Sequence, residues 1–317
     1  MFQWIKTSTA ALCVVAVTAF GASAEDWKPA GPVKLMIAFA AGGGADTQAR
    51  FIAEELEATL GWSFIPEQVT GKGGLNLAAA MKSEKNDGTV IGMAVTDTLG
   101  YNMAASNSGM TPSDFTPIVT TAGFQMGVVA RSDKGWETLE DVIEAAKAGQ
   151  DIRFGVMAPN LADMAYLLGK AQGVDFNIVS VQGGKAVMNG INAGDMDVGF
   201  MAGIQAKGVA AGELVNLASA LPFPLNQTPD APLLSEFGMN FTADGYFLIM
   251  GPAGMPDDAR AALANAIKGV VENSETKAGG LIKKAFGGAS VYTGSELDAL
   301  VASGYASAGE LLAAASE

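Results

Sequence analysis

A loop of three consecutive glycines joins an apolar run to an amphipathic segment near the start of the chain, and this feature restricts the fold most. Residues 33–39 are almost all apolar, as in a strand covered on both faces, and residues 46–60 place apolar side chains at helical spacing. Short strands predicted at 63–65 and 89–95 then alternate with a helix at 75–83. This alternation indicates an α/β fold with a mainly parallel sheet.

The same alternation begins again in the middle of the chain. Strands are predicted at 152–157, 177–181 and 198–201, separated by helices at 161–172 and 185–192. The sequence therefore predicts two similar α/β lobes, each a mainly parallel sheet flanked by helices.

Two apolar, β-prone segments, residues 118–131 and 246–250, separate these halves. Two connections between the halves indicate that the second half is inserted into the first. We predict a first lobe made of residues 25–122 and 247–317, a second lobe made of residues 123–246, and a ligand cleft between the lobes.

Residues 1–24 have the layout of a secretory signal peptide. Lys6 precedes an apolar stretch at residues 10–20, and small residues end the segment at Ala22 and Ala24. We expect cleavage after Ala24 and export of the remaining chain.

The residue types exclude most catalytic chemistry. The chain has no histidine, and its only cysteine, Cys13, lies in the predicted signal peptide. Serine–histidine and cysteine–histidine catalysis and histidine-ligated zinc therefore have no residues to use, so we predict no catalytic residue, metal or cofactor. A net charge of −14, with 19 scattered basic residues, also argues against a nucleic-acid partner. A binding protein is favoured, and an exported enzyme acting on a small carboxylate is the alternative.

The three glycines precede a predicted helix, whose first turn leaves about four backbone N–H groups unpaired and carries a partial positive charge. An anion site is their simplest use. Residues 157–160 and 182–185 also lie between a strand and a helix, so three loops are expected to face one cleft. A tight turn with Asp46 as the helix cap remains possible, whereas Thr47 departs from the dinucleotide motif GxGxxG.

Ordered motifs carry a family resemblance. Residues 33–47 resemble the strand and PGGGxD loop of the Bug family, the periplasmic solute-binding proteins of tripartite tricarboxylate transporters. Further segments resemble the family motifs GAGG (71–74), PDGYT (86–89), DFxPI (115–119), YKGG (182–184), GQVDL (194–198) and APAGTP (251–256). The resemblance covers essentially all of the chain after the signal peptide.

The resemblance implies the two-lobed periplasmic binding protein fold and a location in the periplasm. It also implies a monomer whose lobes close on a small organic carboxylate, a di- or tricarboxylate being expected, held largely by backbone N–H groups. It also implies delivery to a membrane permease with one large and one small subunit. The predicted ligand-binding residues are Phe39, Ala41, Gly42, Gly43, Gly44, Asp46, Thr47, Thr96, Met157, Ala158, Asn160, Asp163, Gln182, Gly183, Gly184 and Lys185.

Three of these positions leave alternatives open. Ala41 replaces the proline of the family motif, so ligand preference does not transfer directly. Asp163 either caps its helix or faces the cleft and selects a ligand with an amine or hydroxyl donor. Lys185 either lies on the surface or reaches the distal carboxylate of a two-ended ligand.

Overall fold

The computed structural model describes residues 27–316, so the predicted signal peptide lies outside the described residues. The strands in this part are β1 (Val33–Ile37), β2 (Phe64–Gln68), β3 (Val90–Val95), β4 (Phe115–Gly123), β5 (Gly127–Arg131), β6 (Arg153–Val156), β7 (Asn177–Ser180), β8 (Val198–Met201), β9 (Leu214–Ser219) and β10 (Tyr246–Pro252). The helices are α1 (Gly44–Leu60), α2 (Leu75–Met81), α3 (Thr96–Leu99), α4 (Tyr101–Ala104), α5 (Leu139–Lys147), α6 (Pro159–Gln172), α7 (Gly184–Ala193), α8 (Ala206–Ala210), α9 (Asp257–Glu272), α10 (Lys277–Phe286) and α11 (Gly294–Ser316).

The strands form two sheets of five. The first has the order β2-β1-β3-β10-β4, and the second has the order β7-β6-β8-β5-β9. In the first sheet β2, β1 and β3 pair in parallel, while β10 is antiparallel to both of its neighbours. In the second sheet β7, β6 and β8 pair in parallel, while β5 is antiparallel to both neighbours. Each sheet therefore has four strands in one direction and one reversed strand.

The reversed strands mark where the chain passes between the sheets. The chain leaves the first sheet after β4 and enters the second with β5, and it returns from β9 to β10. The predicted connecting segments thus supply the one antiparallel strand of each sheet. We call the first sheet with its helices the first lobe, and the second sheet with its helices the second lobe. The predicted domain boundaries fall at the end of β4 and the start of β10, and that division remains a prediction.

The apolar run that starts the fold is buried on both faces, as its composition predicts. Leu35 of β1 belongs to the same apolar cluster as Ile52 of α1, whereas Met36 points to the opposite face and joins Leu77 and Met81 of α2. Helices on both faces explain why β1 lacks polar alternation.

The C-terminal helices hold the first lobe together and reach the second. Helix α9 contacts β4 and α1, and α10 contacts α1. Helix α11 packs against α4 and β4 and also against α6 of the second lobe. In residues 27–316 no helix is both long enough and apolar enough to span a bilayer.

Candidate functional site

Three helices begin at one cavity between the lobes. Helix α1 approaches from the first lobe, and α6 and α7 approach from the second. The cavity has a volume of about 60 Å³. Because α1, α6 and α7 follow strands β1, β6 and β7, the cavity lies at the carboxyl ends of parallel strands from both sheets, where α/β proteins usually bind ligands.

The N-cap residues of these helices have no polar side chain. They are Gly43 for α1, Ala158 for α6 and Gly183 for α7, and none provides a side-chain cap. Uncapped first turns leave backbone N–H groups and the positive end of the helix dipole directed toward the cavity. The arrangement suits a carboxylate or another small anion.

The glycine loops touch across the cleft because they lack side chains. A Cβ atom added to Gly183 would lie 3.3 Å from the Cβ atom of Phe39 across the cleft. One added to Gly43 would lie 3.0 Å from the carbonyl oxygen of Ala40 in its own loop and 3.7 Å from the Cβ atom of Lys185 across the cleft. Gly183 has a φ of 91° and therefore also needs the left-handed region. Gly43 has a φ of −78°, so close approach rather than backbone strain explains this glycine.

Asp46 organises the loop before α1 from within the protein. Its side chain is buried and accepts hydrogen bonds of 2.8 Å each from the Gly42 N–H, the Arg50 Nε and the Gln68 Nε2. Helix α1 begins at Gly44 with Gly43 as its N-cap, so Asp46 is the third helical residue and not the cap. The carboxylate instead holds the glycine loop against the end of β2.

Two polar side chains from different lobes meet at the cavity. The Nδ2 of Asn160, on α6, donates a 3.0 Å hydrogen bond to the Oδ2 of Asp97, on α3. Burial raises the pKa of the Asp97 carboxyl to about 7, the hydrogen bond from Asn160 opposes this, and the charge of Asp244 adds to it. The Asn160 Oδ1 is buried and has no hydrogen-bond partner among the described residues.

Two further hydrogen bonds join the lobes beside the cavity. The Thr70 hydroxyl donates to the Oε1 of Gln182 at 2.6 Å, and the Tyr101 hydroxyl donates to the Oδ2 of Asp163. Burial and the Asp163 carboxylate raise the pKa of Tyr101, which keeps the phenol protonated as the donor. The lobes are therefore in polar contact at two further points, as expected for a closed arrangement.

The structure brings nine of the predicted ligand-binding residues to the cavity lining. They are Phe39, Gly43, Gly44, Met157, Ala158, Asn160, Gly183, Gly184 and Lys185. They come from the three loops singled out in the sequence. Their role in binding remains a prediction.

The other predicted residues lie around the cavity without lining it. Gly42 and Thr47 line a separate pocket beside α10, and Ala41 is exposed. The hydroxyl of Thr96 accepts a hydrogen bond from the Tyr246 N–H at 3.0 Å. As described above, Asp46 is buried in the loop, while Asp163 and Gln182 bind side chains of the first lobe.

Residues that sequence reasoning did not select complete the cavity. Asp97 lies two residues after the last residue of β3, and position just beyond a strand end was the available signal for it. The aromatic wall consists of Phe124, Phe247 and Phe286. These three rings come from distant segments and stack edge to face, with centroids 5.3 Å apart for Phe124 and Phe247 and 4.9 Å apart for Phe247 and Phe286. No local pattern in the sequence predicts such a wall.

Two α/β lobes joined by two crossings, with helix N-termini facing a cavity between them, define a two-lobed solute-binding protein. The chain belongs to the tripartite tricarboxylate transporter family receptors, whose family model matches residues 48–292. This confirms the resemblance seen in the sequence motifs. The family consists of receptors and not of enzymes.

Known proteins support the family and the fold. The chain is 26% identical over 269 residues to the UPF0065 protein in the TAR-I ttuE-ttuC' intergenic region of Agrobacterium vitis, covering 82% of this chain and 77% of that protein. It resembles the structure of R. palustris Rpa4515 with adipate, with a TM-score of 0.79, 21% identity and coverage of 91% and 98%. It also resembles MatC (Rpa3494) from Rhodopseudomonas palustris with bound malate, with a TM-score of 0.77, 20% identity and coverage of 90% and 99%.

Proposed function

We propose that this protein captures a small organic carboxylate in the periplasm and delivers it to a membrane permease with one large and one small subunit. The observation that carries the proposal is the convergence of three helix N-termini without polar N-cap side chains on one cavity. The ligands in two similar structures, adipate and malate, are carboxylates and support this ligand class.

The energetics favour backbone recognition of an anion. A hydrogen bond to a charged group contributes about 1.5–3 kcal/mol, so several N–H donors offset much of the cost of removing a carboxylate from water. A micromolar dissociation constant requires only about −8 kcal/mol. The donors act locally, so the net charge of −14 does not prevent anion binding in a closed cleft.

The cavity also restricts ligand size and shape. A volume of about 60 Å³ suits a small ligand in this closed arrangement. Lys185 is the cationic side chain of the lining. In the dicarboxylate case, one carboxylate lies at the helix N-termini and Lys185 reaches the second.

Calorimetric titration tests the ligand class directly. The protein is unfolded in urea and refolded to remove bound solute, and then titrated with mono-, di- and tricarboxylates and with uncharged analogues such as amides. We expect saturable binding of carboxylates and none of the matched amides. Absence of binding by every carboxylate would overturn the proposal, and conversion of a bound carboxylate into a product would favour the exported enzyme.

Small-angle scattering tests lobe closure. The bonds Thr70–Gln182, Asp97–Asn160 and Tyr101–Asp163 each join the two lobes, so an opened state must break all three. We expect the radius of gyration of the ligand-free protein to fall when it is saturated with a carboxylate that binds. An unchanged scattering profile at saturation would argue against a hinged mechanism.

A further inference from the structure

One end of the cavity presents two hydrogen-bond acceptors. The Asp97 carboxylate and the Asn160 amide meet there, and Asn160 uses its Nδ2 donor on Asp97. This leaves the Asn160 Oδ1 as an acceptor without a partner among the described residues, on a side chain that is only 5% exposed. A buried acceptor without a partner is costly, and a ligand that donates hydrogen bonds would satisfy it.

The Asp97 charge also lacks compensation. In the part of the chain that the structure describes, no lysine or arginine forms an ion pair with Asp97. Two nearby carboxylates increase the negative charge around Asp97. Asp244 and Glu310 line a neighbouring pocket that shares Asp97 and Asn160 with the cavity. A positively charged group on the ligand would therefore neutralise the Asp97 carboxylate.

We propose that the ligand is a carboxylic acid that also carries a protonated amine, and that Asp97 and Asn160 hold the ammonium group while the helix N-termini hold the carboxylate. This inference rests on the proposed function. An ammonium group has three N–H donors and one positive charge, so it satisfies both acceptors and neutralises Asp97. A hydroxyl donates one hydrogen bond and neutralises nothing. An amino acid in its zwitterionic form has the required chemistry.

In the competing arrangement, a protonated Asp97 donates a hydrogen bond to a second carboxylate of the ligand. The two arrangements predict opposite changes of ligand affinity with pH. Burial raises the pKa of Asp97 to about 7. Ammonium binding requires the ionised form, so affinity for an amino acid falls as the pH drops below about 7. Donation to a carboxylate requires the protonated form, so affinity for a dicarboxylate would rise instead. The other titratable groups facing this region are Asp163, Lys185, Asp244, Glu310, Tyr101 and Tyr246.

Ligands that share one carbon skeleton test the proposal. Succinate, malate and aspartate have the same four-carbon backbone and differ by hydrogen, hydroxyl and ammonium, and propionate and alanine form a second, smaller pair. Titration of refolded protein at about pH 8 and about pH 5.5 measures each affinity. We expect each amino acid to bind at least about tenfold more tightly than its unsubstituted analogue at the higher pH, as one charge-assisted hydrogen bond predicts.

Asp97→Asn provides the matched variant, since it removes the charge and keeps the shape. It should abolish the preference for the amino acid over its unsubstituted analogue, because the charge that pairs with the ammonium group is gone. Glu144→Gln is the control, since it removes one carboxylate from an exposed position of α5 where its partner is Lys147. This control should retain the wild-type preference.

Three outcomes separate the two proposals. Equal or tighter binding of succinate and propionate relative to their amino analogues overturns the ammonium site while leaving carboxylate binding intact. If malate binds most tightly, Asp97 and Asn160 accept hydrogen bonds from a hydroxyl group, and the proposed ammonium site is also overturned. Failure of every acid to bind overturns the proposed function itself. The pH dependence of the wild-type affinities distinguishes the ammonium site from the protonated arrangement even if Asp97→Asn does not fold.

Discussion

Replacing Asp97 with asparagine should stabilise the ligand-free protein at neutral and alkaline pH. The carboxyl group lies between the lobes, where burial is the largest influence on its pKa and the negative charge of Asp244 acts in the same direction. Asparagine has nearly the same shape and can still accept the hydrogen bond from Asn160. The substitution therefore removes a desolvated charge from a half-buried position and keeps the packing.

The magnitude follows from the pKa. A value of about 7 against the ordinary 3.8 corresponds to about 4 kcal/mol, since one pKa unit is about 1.36 kcal/mol. The folded state holds this proton more tightly than the unfolded state, so Asp97 lowers stability as the pH rises from about 4 to about 7, and the cost is constant above that. Allowing for relaxation around the charge, we expect Asp97→Asn to gain about 2–4 kcal/mol above pH 7.

Urea denaturation of both proteins at several pH values measures this difference. All solute must first be removed by refolding, because a bound ligand adds its own stabilisation and hides the effect. The other carboxylates titrate equally in both proteins and cancel in the comparison. We expect the difference in unfolding free energy to be small near pH 4 and to grow until about pH 7. A difference that does not change with pH would refute the argument that the Asp97 charge is desolvated.

Three other substitutions test the loops and the lysine. Gly44→Val should weaken carboxylate binding at least about tenfold, since a Cβ atom there lies 3.0 Å from the Phe286 ring; calorimetry on a variant with native circular dichroism checks this, and unchanged affinity would make the loop a structural turn. Asp46→Ala should cost about 1.5–3 kcal/mol in urea denaturation, because Arg50, Gln68 and the Gly42 N–H lose the buried carboxylate that accepts their hydrogen bonds. Asp46→Asn should cost less, and a loss near 1 kcal/mol for alanine would indicate simple capping. Lys185→Met should weaken binding of a dicarboxylate far more than binding of its monocarboxylate analogue in paired titrations, and equal losses would remove Lys185 from the site.

The alternation of strands and helices was predictable because each element has a local signal. Strand β8 matches its predicted range, and α6 begins two residues earlier than predicted, at Pro159. Helix α5 was not predicted, although Thr138 and Asp141 form a capping box at its start. Strand β9 was also missed, because a short apolar run among loops does not distinguish a strand from a buried turn.

The loops of the candidate site were predictable for the same reason, whereas its walls were not. A glycine between a strand and a helix is visible in the sequence, and parallel sheets place such loops at one edge. The aromatic wall depends on how Phe124, Phe247 and Phe286 meet across the fold, and no local spacing encodes that. Asp97 opens a helix of only four residues, so periodicity gives no indication of its position.

The uncompensated charge of Asp97 has a consequence for both stability and affinity. In the ligand-free protein the desolvated, half-buried carboxylate lowers stability above about pH 7, and no lysine or arginine among the described residues forms an ion pair with it. Buried Asp197 shows the contrast: burial alone would raise its pKa, but Arg153 and Lys134 lower the pKa to about 2. A ligand ammonium group would stabilise the ionised form of Asp97 and lower its pKa, as Arg153 and Lys134 do for Asp197. Binding of a positively charged ligand group would then remove this destabilisation, and the free energy gained would strengthen the affinity for that ligand.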